Sequence, residues 1–149
     1  MRLSKQAVAS LVVALAVGGA AVAVIAADAY MDRHMAMETV GDAMKPLAAI
    51  AKKEAPFDAA VVKANATTIA DNLKKASALF PAGSGGGDSL AKPEVWSEAA
   101  GFEKGMKDAH AAAVALQAVS DEAAFRPALG ALGGNCKSCH DKYRLPPKQ

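Results

Sequence analysis

Aromatic and strand-forming residues are scarce in this sequence of 149 residues. Phe, Trp and Tyr make up 5% of the chain, and clusters of Val, Ile and Thr are few after residue 27. The chain is instead rich in Ala, together with Leu, Lys, Glu and Met, all of which favour helices. Its length suits one domain. The composition therefore predicts an all-α protein and argues against a fold built on a sheet.

An excess of charge of one sign is also missing. The chain has 17 basic and 15 acidic residues, a formal net charge of +2. Arg2 and Lys5 account for this excess, and without them 15 residues of each sign remain. A neutral domain gives no electrostatic basis for binding nucleic acid or an anionic membrane, so we expect neither partner.

Residues 1–27 have the layout of a secretory signal peptide. Two basic residues precede an uncharged apolar run, and small residues precede the first acid, Asp28, which places cleavage near Ala26 or Ala27. The alternative is a retained anchor, since about 20 apolar residues can cross a bilayer, although a run rich in Ala and Gly is a weak span. We predict an exported domain, residues 28–149, with no stable membrane insertion once the signal is cleaved.

Four later segments have apolar residues at helical spacing. Asp58 is a suitable N-cap for the second, the fourth starts near Ser120-Asp121, and Pro46 should bend or locally break the first. Their short connections predict an antiparallel up-down-up-down four-helix bundle. The segments are 29–54, 58–80, 92–116 and 120–143.

The longest connection, residues 81–92, reads PAGSGGGDSLAK. Consecutive glycines are costly to order, so this stretch predicts a flexible surface loop. It is not a phosphate-binding loop, because no strand precedes it and no GK[ST] follows.

Cysteine is almost absent, and both cysteines lie in Cys136-Lys137-Ser138-Cys139-His140. This fits C-x-x-C-H, the attachment signature of a c-type haem. On a helix Cys136 and Cys139 point to one side, where each sulfur can form a thioether with a haem vinyl group. His140 can reach the iron from the same face. The motif predicts one covalently attached haem c with His140 as the proximal axial ligand.

Other chemistries remain open for this segment. The two cysteines could be buried thiols or a disulfide, with His140 on the surface. A thioredoxin-like dithiol would need a βαβ context, and a zinc site would need further ligands, of which only the isolated His34 and His110 are available. Export favours haem attachment, because free thiols rarely persist in an oxidising compartment.

With this motif on the last helix, the sequence resembles the class II c-type cytochromes, the group of cytochrome c-prime and cytochrome c-556. The resemblance implies a four-helix bundle with the haem near one end, export to the bacterial periplasm, and a homodimer as a common assembly. It is carried by DRHMAMETVGDAMKPLA, APFDAAVVKANA, KPEVWSEAAGFEKG and FRPALGALGGNCKSCHDKYR.

The family divides on the sixth position of the iron. In the c-556 branch a methionine in a pattern like R-x-x-x-M is the distal ligand, and Arg33 to Met37 fits that pattern. Periodicity also places Met37 on the apolar stripe with Val40, whereas Met35 lies about 200° round the helix. The resemblance thus implies Met37 as the distal axial ligand, the alternative being a core methionine that binds nothing.

Four further residues are candidates near the haem. His34 and His110 are weaker rivals of Met37 for the distal position. The family pattern suggests that Arg33 pairs with a haem propionate. Arg144, four residues after His140, could shape the proximal side. Both arginines could instead be solvated surface residues.

Catalytic groups are missing as well, with no carboxylate pair and no nucleophile beside a base, so we expect no enzyme activity. The prediction is a periplasmic one-electron carrier with a single His/Met-ligated haem c, serving redox proteins of a respiratory or photosynthetic chain. The basic residues Lys137, Lys142, Arg144 and Lys148 could dock an acidic partner.

Two alternatives remain for the function. One is a five-coordinate protein of the cytochrome c-prime type that binds NO or CO. The other is a small peroxidase, for which His34 is the nearby acid-base candidate.

Overall fold

The computed structural model describes the backbone of residues 6–147 and the side chains from Ala29 onward. The helices are α1 (Gln6–Ala51), α2 (Ala59–Ser77), α3 (Glu94–Ser97), α4 (Ala99–Gln117) and α5 (Glu122–Tyr143). The predicted signal peptide falls on residues whose side chains lie outside this described part, so its cleavage stays a prediction. Among the helices of the described part, none is long and apolar enough to cross a bilayer.

Two aspartates fix the beginnings of α2 and α5. Asp58 Oδ1 accepts hydrogen bonds from the amides of Ala60, at 2.8 Å, and Val61, at 3.1 Å. Asp121 Oδ1 accepts one from the amide of Ala124 at 2.9 Å. These carboxylates satisfy amides that lack a partner within the helix, which confirms the predicted N-cap Asp58 and the predicted helix start near Asp121.

The helices differ from the predicted segments in several places. Helix α1 begins at Gln6, well before residue 29, and Pro46 lies inside it without ending it. Leu47 and Ile50, directly after this proline, are buried, and their packing offsets the lost hydrogen bond. The predicted third helix is divided at Glu98, whose φ of −119° and ψ of 41° are not helical. The break leaves Ala99 exposed at the start of α4, while Phe102 further along that helix is buried.

Contacts between helix ends show the up-down-up-down order. Arg33 near the described start of α1 donates to the Leu79 carbonyl just beyond α2. Lys142 near the end of α5 pairs with Glu98 at the start of α4. The helices pack in the order α1–α2–α4–α5, and α1 and α5 are not among the closely packed pairs within the described residues. The predicted all-α four-helix bundle is confirmed.

The core runs the length of the bundle. Each of its largest fully buried side chains stabilises the fold by roughly 1.5–3 kcal/mol relative to exposure. One end contains the aromatic pair Phe57–Phe125, and the other contains Phe80, Phe102 and Tyr143, with ring centroids 4.6 Å and 5.3 Å apart. The largest fully buried side chains are Phe125, Leu47, Ile69, Leu116, Leu132 and Val62.

Candidate haem site

The last turns of α5 place both cysteines against the core. Cys136 and Cys139 are free thiols, each half-buried and packed against the hydrophobic cluster. Burial raises the pKa of both thiols, and for Cys139 the neighbouring Cys136 raises it further. A dithiol that exchanges disulfides needs a readily formed thiolate, so these raised pKa values argue against that alternative.

His140 lies one turn after Cys136 and is exposed at the surface of the bundle. Partial burial, followed by the charge of Arg144, lowers the pKa of the His140 imidazole, while Asp141 opposes the shift. The neutral imidazole keeps a nitrogen lone pair available for a metal. Two thiols and one imidazole on a single helical surface therefore fit a haem c.

Neither zinc coordination nor thioredoxin chemistry has structural support. Within the described residues no group of three or more His, Cys, Asp and Glu side chains could hold a metal ion. The helices of the bundle also do not provide the βαβ context of a thioredoxin-like dithiol.

Met37 is half-buried on the face of α1 that packs against the core. Met35, two residues earlier, is 49% exposed, as the periodicity predicted. Met37 lies one turn after Arg33, and His140 lies one turn before Arg144. Since Arg33 and Arg144 both contact the loop at the same end of the bundle, Met37 and His140 lie at that end too. Ligation of iron by Met37 stays a prediction.

Of the two rival histidines, His34 lies on α1 one turn before Met37, and His110 lies on α4. His34 is exposed, with its Nε2 atom 3.3 Å from Glu38 Oε1 and its ring stacked on Tyr30. His110 lines a groove between α2 and α4 together with Leu73 and Met106. Neither shares the position of Met37, which weakens both as distal ligands.

Arg33 is a buried residue, only 6% exposed, and the structure shows what surrounds it. Its Nη1 atom donates to the Leu79 carbonyl at 2.6 Å and to Ser84 Oγ at 2.8 Å. Its Nη2 atom donates to the Ser84 carbonyl at 2.7 Å and to Ser89 Oγ at 3.3 Å. The guanidinium also lies 4.7 Å from the centre of the Phe80 ring. Arg33 is therefore not a solvated surface arginine, and its pairing with a propionate stays a prediction.

The loop that accepts these bonds lies at the surface, as predicted, with most of its residues exposed, but two of its serines are anchored to Arg33. Ser84 and Ser89 are buried together with Arg33. They supply hydrogen-bond acceptors that the Arg33 guanidinium needs because it is removed from water. Gly83, Gly86 and Gly87 have positive φ values, which glycine adopts without strain. Sequence reasoning missed both serines, and the local signal available was the glycine-rich run, with Ser84 inside it and Ser89 two residues after it.

Other predicted features are changed by their surroundings. Lys137 pairs with Asp141 at 2.5 Å, and Lys142 pairs with Glu98, so two members of the predicted basic patch are neutralised. Lys148 lies outside the described residues. Arg144 is exposed at the end of α5, and its role beside the haem stays a prediction.

Gly133 and Gly134 lie within α5. A Cβ atom at either would meet no atom of another helix within 4 Å. Close approach of a neighbouring helix therefore does not explain these glycines.

A four-helix bundle that presents C-x-x-C-H on its last helix defines a class, the helical c-type haem proteins. Comparison with known proteins agrees with this class. The family model described as cytochrome c′ matches residues 28–144. The chain belongs to the cytochrome c′ and c-556 family.

Similar proteins carry both of these names. Cytochrome c′ of Rhodopseudomonas palustris is 44% identical over 132 residues, covering 87% of this chain and 90% of that protein. Cytochrome c-556 of Agrobacterium fabrum is 42% identical over 125 residues, covering 83% of this chain and 85% of that protein. A nitric oxide complex of a mutant cytochrome c prime from Alcaligenes xylosoxidans is 34% identical, has a TM-score of 0.75, and covers 82% of this chain and 97% of that chain.

Proteins of this family carry one covalently attached haem c with iron. In this chain Cys136 and Cys139 would hold it through thioethers, and His140 would bind the iron. When bound, the group supplies one-electron chemistry. The protein supplies the attachment, the axial ligand and the packed wall of the bundle.

Proposed function

We propose that this protein is a periplasmic one-electron carrier, not an enzyme, with His140 and Met37 as its axial ligands. The observation that supports this proposal most is the position of Met37. It is the half-buried methionine of α1 at the same end of the bundle as His140. A thioether and an imidazole are ligands that iron accepts in electron-transfer cytochromes.

The packing around Met37 suits electron transfer. Its neighbours along the stripe, Ala36 and Val40, are buried in the core, so the backbone of α1 is held firmly at this point. A ligand on a fixed helix moves little between oxidation states, which keeps the reorganisation small. Methionine ligation also raises the reduction potential relative to other ligand sets.

Replacement of Met37 tests the proposal directly. Met37→Leu removes the thioether at nearly constant volume, and Met44→Leu is the matched control because Met44 is also half-buried against the core. We expect low-spin optical spectra for the unmutated protein and Met44→Leu, and a high-spin spectrum for Met37→Leu. A high-spin spectrum in the unmutated protein would refute His/Met ligation.

A second candidate is a five-coordinate protein that binds NO or CO, with Met37 as core filler. The similarity to cytochromes c′, one of them solved as a nitric oxide complex, favours this candidate. Titration of the reduced protein with CO separates the two. Tight binding to the unmutated protein supports the second candidate, and binding only after Met37→Leu supports the first.

The proposal includes a cellular setting. Export by residues 1–27 would deliver the domain to the periplasm, where redox proteins of a respiratory or photosynthetic chain would be its partners. Because Lys137 and Lys142 are already paired, the exposed Arg144 is the member of the predicted basic patch, among its described residues, that we propose for docking an acidic partner. Reversing its charge, as in Arg144→Glu, should slow electron exchange with an acidic partner at low ionic strength.

A further inference from the structure

The loop between α2 and α3 contacts both α1 and the end of α5, two helices that are not among the closely packed pairs of the described residues. On one side, Ser84 and Ser89 hold the guanidinium of Arg33 on α1 through three hydrogen bonds of 2.7–3.3 Å. Arg33 precedes Met37 by one helical turn, about 6 Å along the axis. The loop is thus hydrogen-bonded to α1 one turn before Met37, the predicted distal ligand.

The same loop is also attached to the end of α5. The Leu145 amide donates to the Leu90 carbonyl at 2.7 Å, and the Lys92 amide donates to the Tyr143 carbonyl at 2.9 Å. Ala91 and Arg144 form an isolated antiparallel bridge between these hydrogen bonds. These contacts lie one turn beyond His140, the predicted proximal ligand.

The interior of the loop has its own contacts. Trp96 Nε1 donates to the carbonyls of Phe80 and Pro81, at 3.1 Å each. A Cβ atom at Gly85 would lie 2.6 Å from the Trp96 ring, so the loop backbone lies directly on this ring. A loop fixed in this way can hold α1 at a defined position relative to the end of α5.

We propose that Ser84 and Ser89, acting through Arg33, are positioning residues for the axial site. Since α1 and α5 are not among the closely packed helix pairs of the described residues, helix packing fixes their spacing only through α2 and α4. The loop adds a direct link between them and helps to set how closely the Met37 helix approaches the haem held by α5. We call Arg33, Ser84 and Ser89 the clamp. This inference rests on the proposed function for its direction, because loss of the clamp's hydrogen bonds should release Met37 from the iron.

The test compares two double serine variants of the haem-loaded protein. Ser84→Ala with Ser89→Ala removes both hydroxyl acceptors of the guanidinium. Ser77→Ala with Ser97→Ala is the matched control, since both of those serines are exposed. We expect the first variant to gain high-spin character and to bind CO about tenfold more tightly than the parent, as expected for the loss of bonds to a charged group. The control should match the parent.

Hydrogen exchange gives a readout apart from ligand binding. In the clamp variant the amides of Lys92 and Leu145 should exchange faster than in the parent, because the loop holds them. A variant with parental spectrum, CO affinity and exchange rates would overturn the proposal, even if its thermal midpoint fell. If the double variant does not fold, Arg33→Lys serves instead, because a lysine keeps the charge but cannot bond both serines in the same fork geometry.

The outcome for the clamp is separable from the outcome for the proposed function. A high-spin parent would refute His/Met ligation and leave the clamp to be judged by CO affinity and by hydrogen exchange. In that case parental CO affinity and parental exchange rates in the clamp variant would overturn the clamp, and a change in either would support it.

Discussion

Among the glycines of the loop, Gly85 is the one whose backbone lies against another side chain. Its α-carbon faces the edge of the Trp96 ring, and a Cβ atom would lie 2.6 Å and 2.8 Å from two ring carbons. The rigid indole is also held by its bonds to the Phe80 and Pro81 carbonyls. A side chain here therefore has no flexible partner to displace.

We expect Gly85→Ala to lower the free energy of unfolding by about 1–3 kcal/mol, the usual cost of overpacking. Gly41→Ala is the control, since Gly41 is an exposed residue of α1 and a Cβ atom there would meet no atom within 4 Å. That change should raise stability by up to about 1 kcal/mol through helix propensity. Denaturant unfolding of both variants measures the difference, and equal effects of the two changes would contradict the close contact.

At the scale of helices and loops, what the sequence could predict depended on how local the determinants are. The N-caps of α2 and α5 could be predicted because an aspartate acts on amides two or three residues away. The cysteine and histidine positions could be predicted because one helical turn contains them all. The Arg33 clamp could not, since its partners lie 46 to 56 residues further along the chain. The break at Glu98 likewise could not be predicted, because neither Glu98 nor its two neighbours is Gly or Pro.

The capping aspartates give a prediction at this scale. Asp58→Ala should lower the free energy of unfolding by about 1 kcal/mol, because two amides at the start of α2 lose their acceptor. Asp71→Ala, an exposed change further along α2, removes the same charge without a cap and should change stability by less than about 0.5 kcal/mol. Thermal unfolding distinguishes them. Similar losses in both variants would show that charge rather than capping stabilises the helix.

At the scale of the whole molecule, the residues of the haem site lie at one end of the bundle, whereas the packed core extends to the other end. The haem motif, Met37 and the clamp loop share one end, while Phe57 and Phe125 close the other. Helix α4 spans the distance between them, about 28 Å for its 19 residues. The chemistry can therefore be altered at one end while the stability of the fold depends on the entire core.

This separation predicts opposite outcomes for two variants. Leu116 is fully buried near the far end of α4, about 21 Å along the helix from Phe102. Leu116→Ala should lower the free energy of unfolding by about 2–5 kcal/mol, through lost burial and a residual cavity, without changing the haem spectrum. The clamp variant at Ser84 and Ser89 should change the spectrum at a smaller cost in stability. Optical spectra and denaturant unfolding of the two proteins would reveal this contrast, and a spectral change in Leu116→Ala would show that the far end also governs the axial site.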